Sequence, residues 1–187
     1  MHSLSDLGRT IRLWLRAPIS SDLPEILRLW THEEVTRHIG GPREAAQVVE
    51  TFERYAADPH GMVAEERDRW WSIIERSSGS FAGLAALLEK DVVGTREMEL
   101  SYFLFPEFWG RGYATEAMRC VVLFAEGSLD IASMIAVIDP HNAPSQRVAE
   151  RLGMRFERAV PRSDGVTRHI YRLERHSAAR PALHGPA

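Results

Sequence analysis

The stretch "ELSYFLFPEFWGRGYATEAM", residues 99–118, joins an apolar run to a pair of glycines and then to a segment with helical periodicity. Behind Gly112 the apolar residues recur every three or four positions, as Ala114, Ala117, Met118, Val121, Val122 and Ala125. This spacing predicts a helix with one apolar stripe, which we expect to end at Gly127. The stretch therefore predicts a strand, a tight turn and a helix that packs against a sheet.

The two glycines lie where an anion would be held. The first amides of a helix have no partner within it, the helix dipole is positive there, and glycine lets a ligand approach the backbone closely. A purely structural strand-to-helix turn is the alternative interpretation. A dinucleotide fingerprint would need Gly or Ala where Thr115 stands, and a Walker loop would need Gly-Lys-Ser/Thr, so neither of these phosphate loops fits.

Composition restricts the class of protein. The chain has 187 residues, of which 44% are hydrophobic, so it is about one domain long with enough apolar residues for a core. A formal net charge of -3 argues against a nucleic-acid-binding protein. The single cysteine, Cys120, excludes an internal disulfide, and the histidines are isolated, so no metal site is expected. With neither an apolar run of membrane length nor a secretory h-region, we expect a cytoplasmic protein that does not enter the membrane.

The rest of the chain alternates strand and helix patterns. Strands are predicted within 10–18, 70–76, 80–89, 97–105, 131–139 and 165–174, and helices within 20–35, 43–57, 113–127 and 142–153. Asp22 is expected to cap the first helix and Asn142 the last one. The pair Trp70–Trp71 is interpreted as core plus pocket wall. Together these elements predict a single α/β (α+β) domain, with a tail from about His176 that has too little to bury and is expected to be disordered.

The segment 99–118, followed about 25 residues later by "NAPSQRVAERLGM", resembles the GCN5-related N-acetyltransferases (GNAT), in particular their RimJ/RimL-like branch of ribosomal-protein amino-terminal acetyltransferases. The opening "TIRLWLRAPISSDLPEILRLWTHEEVTRHIGG" is similar to the same branch. The resemblance covers residues 9–174 and leaves 175–187 as the tail. It implies one GNAT-like domain with a mixed central sheet, in which a pair of strands splays apart, flanked by helices.

This resemblance implies acetyl-coenzyme A as cosubstrate and no metal. The family's loop pattern, Gln/Arg-x-x-Gly-x-Gly/Ala, lies over residues 109–114 with Trp109 in place of Gln/Arg, and its amides would hold the pyrophosphate. The preceding strand would offer backbone groups to the pantetheine arm as an added strand does. The coenzyme-binding residues expected in this way are Phe103, Leu104, Phe105, Trp109, Gly110, Arg111, Gly112, Tyr113, Ala114, Thr115, Asn142 and Arg147.

Acetyl transfer to an amine needs a base for the nitrogen and a proton donor for the leaving thiolate. Glu99 is the candidate base, because it lies in an apolar strand and matches the family's base glutamate. Glu97 on the same face stays open as an alternative, as does a merely solvated Glu99. Ser145 is the candidate donor, since it lies on the apolar face of its helix and matches a serine of the RimJ/RimL-like branch. Many other relatives carry a donor tyrosine where Ala149 stands, so a helix-start role for Ser145 remains the alternative.

These expectations combine into one function. The chain is expected to be an acyltransferase that moves acetyl from acetyl-coenzyme A to a primary amine by direct attack on the thioester. The amine is a protein amino terminus or a small molecule, and the residues that select it are expected in the first two helices and in 59–69. A non-catalytic coenzyme A-binding sensor or interaction module is the alternative function. The protein is expected to act as a monomer or homodimer.

Overall fold

The computed structural model describes residues 7–57, 68–161 and 165–175. Within these ranges the strands are β1 (Gly8–Arg9), β2 (Leu13–Arg16), β3 (Arg69–Glu75), β4 (Phe81–Val92), β5 (Thr95–Leu104), β6 (Ser133–Ile138), β7 (Arg155–Pro161) and β8 (Thr167–Glu174). The α-helices are α1 (Leu23–Thr31), α2 (Glu33–Thr36), α3 (Ala45–Ala57), α4 (Tyr113–Ser128) and α5 (Ala143–Arg151). Short 3₁₀ helices cover Ser20–Asp22, Arg37–Ile39 and Pro106–Phe108.

The strands form one mixed sheet in the order β1-β2-β3-β4-β5-β6-β8-β7. Neighbours are antiparallel except β5 and β6, which are parallel and pair only at Glu99 with Ile135 among the described residues. Beyond Glu99 the two strands diverge, and β5 continues for five residues to Leu104 with only β4 as its partner. The predicted mixed sheet with a splayed pair of strands is confirmed.

The two faces of the sheet carry different helices. On one face the ring centroid of Trp30 in α1 lies 4.5 Å from that of Phe103 in β5. On the other face Phe124 of α4 packs edge-on against Trp71 of β3, with 5.5 Å between centroids. Successive strand residues point to opposite faces, so α1 and α3 cover one layer of the core and α4 the other.

The apolar stripe of α4 is buried as its spacing predicts. Ala117, Met118, Val121 and Ala125 are all 0% exposed. Burial of a side chain as large as methionine or valine stabilises a fold by about 1.5–3 kcal/mol, so this stripe anchors α4 to the sheet. The helix continues through Gly127 to Ser128, and its last turn is closed by the Leu129 amide on the Ala125 carbonyl at 3.0 Å. The predicted end at Gly127 is wrong by one residue.

Two strands escaped the sequence patterns. β1 is only two residues long, and β7 lies at the edge of the sheet, where Val160 is its one buried residue. An edge strand with little to bury shows no apolar alternation, which is the signal that identifies strands. The predicted tail from His176 and most of 59–69 lie outside the described residues.

Asp22 occupies the N-cap position of α1 as predicted, but its side chain does not cap the helix. Its carboxylate makes no capping bond to α1 but accepts hydrogen bonds from the Arg16 guanidinium at 2.6 and 2.7 Å, from Ser72 Oγ at 2.7 Å and from the Ile19 amide at 3.0 Å. Burial by itself would raise the pKa of Asp22, but these hydrogen bonds and the charge of Arg16 outweigh it and lower that pKa. Asp22 therefore fastens the start of α1 to β2 and β3.

The part of the chain that the structure describes contains neither a membrane-spanning helix nor a metal-binding cluster. None of its helices is long and apolar enough to cross a membrane. No group of three or more His, Cys, Asp or Glu residues is placed to hold a metal ion within those same ranges.

Candidate active site

The space between β5 and β6 beyond Glu99 is called the β5–β6 gap. Arg172 holds the two strands together at its closed end. Arg172 of β8 donates to Glu97 Oε1 at 2.6 Å, to Ser133 Oγ at 2.6 Å and to Glu157 Oε2 at 2.5 Å. The hydrogen bond to Glu97, and then the carboxylate of Glu157, raise the pKa of Arg172 above its ordinary value. Because β5, β6, β7 and β8 meet on this one side chain, it holds β5 beside β6 just before they diverge. Glu97, the alternative base, is thereby engaged in an ion pair.

At the open end of the gap only alternate backbone groups of β5 point into the gap. The Phe105 amide donates to the Ala82 carbonyl at 3.1 Å, so it points towards β4. Since backbone groups alternate in direction along a strand, Leu104 points into the gap, and its carbonyl accepts from Trp109 Nε1 at 2.7 Å. Of the three residues expected to contact a pantetheine arm, only Leu104 thus faces the gap. The Phe105 side chain is 1% exposed and belongs to the core.

The glycine turn follows directly. Gly110 and Gly112 have φ of 71° and 78°, in the left-handed region, and α4 begins at Tyr113. The first amides of α4 have no partner inside the helix by its geometry. One turn in, Thr115 Oγ1 is buried without a hydrogen-bond partner among the described residues. Unpaired donors at the positive end of a helix, beside backbone that carries no Cβ, fit the phosphates of a nucleotide coenzyme.

Side chains brace this turn from below. Arg12 pairs with Glu116 at 2.6 Å and donates to the Arg111 carbonyl at 2.7 Å. Tyr113 is 6% exposed and its hydroxyl donates to Glu75 at 2.6 Å, which lowers the pKa of Glu75. Arg111 Nη1 lies 3.3 Å from the same carboxylate. Of Arg111 and Tyr113, both expected at the coenzyme, the tyrosine side chain is therefore committed to the scaffold, and the arginine is half-exposed at the rim.

The start of α5 brings two hydroxyls together. Asn142 Oδ1 accepts from the Ser145 amide at 3.2 Å, which confirms Asn142 as the cap of α5. Ser145 Oγ lies 3.0 Å from the hydroxyl oxygen of Tyr102. Burial raises the pKa of Tyr102 and so keeps its proton in place. Tyr102 is a site residue that was not predicted from the sequence, and the signal for it is that a tyrosine alternating with buried strand residues needs a partner for its hydroxyl.

Glu99 lies on the opposite face of β5 from Tyr102. It is three residues away along the strand, so the two side chains point to opposite sides. Glu99 is half-buried and accepts a hydrogen bond from Ser101 Oγ at 3.2 Å. Of the other residues considered, Ala149 is 2% exposed in the core and Arg147 is exposed on α5. The strand thus carries a carboxylate on the α1–α3 side and a hydroxyl pair on the α4–α5 side, both next to the gap.

A pocket of about 320 Å³ opens on the Glu99 side of the sheet. Its apolar lining consists of Pro18, which follows β2, and of residues from α1, α3, β3 and β4, namely Ile26, Trp30, Val48, Phe52, Trp70 and Leu84. Arg43, Gln47 and Thr51 add the polar part of the lining. Trp70 therefore lines the pocket while Trp71 is 2% exposed in the core, as interpreted from the sequence.

Residues 12–155 match the model of the acetyltransferase (GNAT) domain. This match covers more than half of the chain, so the protein belongs to the GNAT acetyltransferases, a family of acyltransferase enzymes.

Known proteins agree with that assignment. The uncharacterized N-acetyltransferase YoaA of Bacillus subtilis is 28% identical over 153 residues, which cover 79% of this chain and 82% of YoaA. An acetyltransferase from Agrobacterium tumefaciens has a similar structure, with a TM-score of 0.75 and 26% identity over 93% of this chain and 96% of that one. The spermidine N-acetyltransferase of Vibrio cholerae, solved with CoA and spermine, has a TM-score of 0.70 and 19% identity over 89% and 97% of the two chains. The chain spans only about half the length of some other curated relatives that it matches.

Proposed function

We propose that this protein transfers acetyl from acetyl-coenzyme A to a primary amine by direct attack of the nitrogen on the thioester. The observation that carries the proposal is the β5–β6 gap, which has Glu99 on one face, the Ser145–Tyr102 pair on the other and the glycine turn at its end. The amine is a protein amino terminus, as in the RimJ/RimL-like branch, or a small molecule. The reaction takes place in the cytoplasm, and the protein acts as a monomer or homodimer.

The coenzyme end of the site consists largely of backbone. The amides at the start of α4, with Gly110 and Gly112, would hold the pyrophosphate, and Thr115 Oγ1 supplies a further hydroxyl. Leu104 offers its amide from the edge of β5, where β6 has diverged. When bound there, acetyl-coenzyme A supplies the activated acetyl group.

On the acceptor side Glu99 receives the proton of the attacking amine. It shares a sheet face with the apolar pocket, so a substrate in the pocket meets the carboxylate before the gap. Glu97 is a weaker candidate, because the Arg172 guanidinium occupies both of its carboxylate oxygens, at 2.6 and 3.1 Å. We assign Glu97 to the architecture of the gap and Glu99 to the chemistry.

The opposite face serves the leaving thiolate. Ser145 is held by the Asn142 cap and by Tyr102, so its hydroxyl has a fixed position at the gap. As the C–S bond breaks, Ser145 donates a hydrogen bond to the thiolate sulfur and accepts one from Tyr102, so both hydroxyls keep their protons and the thiolate takes its proton from solvent. This arrangement substitutes for the tyrosine that many relatives carry where Ala149 stands.

A coenzyme A-binding module without turnover is the alternative, and the arrangement disfavours it. Such a module requires only the turn at Gly110–Gly112 and the exposed edge of β5. Here a carboxylate and a hydroxyl pair also flank the gap, together with a pocket on the carboxylate side. The N-acetyltransferase name of the relative YoaA supports the same choice.

Two measurements on the full chain test the proposal. Saturating acetyl-coenzyme A should raise the melting temperature, since a ligand at 100 times its dissociation constant stabilises the native state by about 2.7 kcal/mol. Release of free thiol on addition of a mixed panel of primary amines should then exceed the rate without amine. An unchanged melting temperature would refute the coenzyme assignment, and stabilisation without amine-dependent thiol release would favour the binding module.

A further inference from the structure

The pocket beside α1 and α3 has the chemistry to select the body of the acceptor. At about 320 Å³ it lies at the small end of the range for ligand pockets, so it holds one aromatic ring or branched aliphatic group. Trp30 and Trp70 meet edge to face in its wall, with ring centroids 6.1 Å apart, and Phe103 stacks against Trp70 at the same distance. A wall of packed rings gains most from contact with another apolar surface.

The charges around the pocket disfavour amines that carry a second positive charge. None of the described residues that line it carries a carboxylate. Arg43 lies in the lining and donates to the Ile39 carbonyl at 3.2 Å, and no carboxylate pairs with it within residues 7–57, 68–161 and 165–175. A ligand with a second positive charge would therefore meet this exposed cation with no carboxylate among the described lining residues to offset the repulsion.

The sheet register connects the pocket to the candidate base. Trp70 lies opposite Ala86 in β4, and Ala86 lies opposite Ser101 in β5. Residues opposite one another share a face, so Trp70 and Ser101 are two strand spacings apart, or about 10 Å. Ser101 donates to Glu99. A body held against Trp70 thus brings an amine on a short linker within reach of Glu99.

We propose that the acceptor is a primary amine on an aromatic or branched apolar body whose far end is uncharged or anionic, and that polyamines are poor substrates. This inference rests on the proposed function and specifies its substrate class. The apolar wall binds the body, Arg43 receives an anionic far end, and the amine enters the gap beside Glu99.

The first test compares three probes on the full chain with saturating acetyl-coenzyme A. They are 2-phenylethylamine, 4-(2-aminoethyl)benzoate, which adds an anionic far end, and spermidine. We expect kcat/KM for both aromatic amines to exceed that for spermidine by about tenfold or more, the size of effect that burial of a ring produces. A kcat/KM for spermidine equal to or above that of the aromatic amines overturns the proposal.

A variant that adds a negative charge to the lining should shift the substrate preference towards spermidine. Gln47→Glu puts a carboxylate into the lining with almost no change of shape, so it should raise kcat/KM for spermidine and lower it for 4-(2-aminoethyl)benzoate, each by about threefold or more. Ala46→Glu adds the same charge to the neighbouring exposed position of α3, outside the lining, and should leave the preference of the parent unchanged. Equal effects of the two variants would show that the pocket does not receive the acceptor.

Binding keeps this inference separate from the proposed function. The fluorescence of Trp30 and Trp70 should respond to 2-phenylethylamine in the presence of coenzyme A whether or not turnover occurs, and this response should be weaker in Trp30→Ala. If no amine is acetylated but this binding is seen, the proposed function fails and the pocket assignment stands. If spermidine binds more tightly than 2-phenylethylamine, or the aromatic amine does not bind, the pocket assignment fails even where acetyl transfer is observed.

Discussion

The coenzyme side and the acceptor side of the gap are built from different materials. At the proposed coenzyme side the groups available for binding are backbone amides at the start of α4 and at the edge of β5, and the side chains of Arg12, Tyr113 and Glu116 brace them from behind. At the acceptor side the pocket consists of side chains from α1, α3, β3 and β4. Backbone groups bind the same ligand whatever residues surround them, whereas a wall of side chains changes its preference with each substitution. Ligand preference on the coenzyme side should therefore depend little on side-chain identity, whereas preference on the acceptor side should depend on it strongly.

The largest effect on catalysis is expected at Glu99 on the acceptor side. Glu99→Gln keeps the shape of the acceptor side but removes the proposed base, so kcat should fall by about 10²–10⁴-fold while the dissociation constant of the coenzyme is nearly unchanged. Steady-state rates across pH and coenzyme binding by calorimetry measure the two quantities. Glu97→Gln is the matched variant, and a larger loss of kcat there than in Glu99→Gln would reverse the two roles.

The acceptor side should also depend on Asp22, which fastens α1 to the sheet. Asp22→Asn removes the charge that Arg16 pairs with in a buried position, and should cost about 2–4 kcal/mol of unfolding free energy at neutral pH. Because the folded pKa of Asp22 is lowered, this contribution is fully present above the unfolded value, about 3.9, and is lost as pH falls through the folded pKa. Urea unfolding of parent and variant should therefore differ at pH 7, begin to approach each other below about pH 4, and converge only below the lowered folded pKa of Asp22.

A control separates this effect from net charge. Asp130→Asn makes the same change of charge at a fully exposed carboxylate, and should alter the unfolding free energy by less than about 0.5 kcal/mol. A cost as large as that of Asp22→Asn would mean that net charge, and not the Arg16–Asp22 pair, sets the stability.

The coenzyme side should respond in the opposite manner to substitution at Gly112. A valine there adds strain on the order of 1–2 kcal/mol, because φ is 78°, and places a branched side chain at the start of α4. We expect coenzyme binding to weaken by roughly 10–100-fold as charged hydrogen bonds to the amides are lost. Gly94→Val carries similar strain at φ 80° in the β4–β5 hairpin and should bind coenzyme as the parent does. Equal affinities of the two variants would make the turn merely structural.

The smallest effect is expected at the hydroxyl pair. Ser145→Ala should lower kcat and kcat/KM together by up to about tenfold, because it removes a hydrogen bond made mainly in the transition state and a thiolate already leaves readily. Tyr102→Phe should lower both quantities by a similar or smaller factor. If the two hydroxyls act as a unit, the double variant should be as active as the less active of the two single variants. Additive losses would show that the two residues act separately, and an unchanged kcat where chemistry limits the rate would leave Ser145 as a helix-start residue.

The elements that the sequence analysis predicted are those with strong local signals. The stripe of α4, the cap at Asn142 and the long central strands are visible because periodicity and capping depend on neighbours in the chain. The edge strand β7 has no apolar pattern, and Asp22 resembles a cap locally although Arg16 and Ser72 take its carboxylate. Hydrogen-bond partners outside the helix start decide the outcome at Asp22, and the shallow burial of an edge strand hides β7 from the sequence pattern.

The sequence by itself determined the family, the glycine turn and Glu99 as a candidate base, since each is written in a short run of residues whose backbone geometry follows from glycine, helix and strand. Only the tertiary structure decided the rest. It brought Tyr102 to Ser145 across 43 positions, paired Glu97 with Arg172 across 75, and assembled a pocket from α1, α3, β3 and β4. These contacts depend on how the sheet and helices pack, because side chains far apart in the chain become neighbours only when burial of the apolar core brings their elements together.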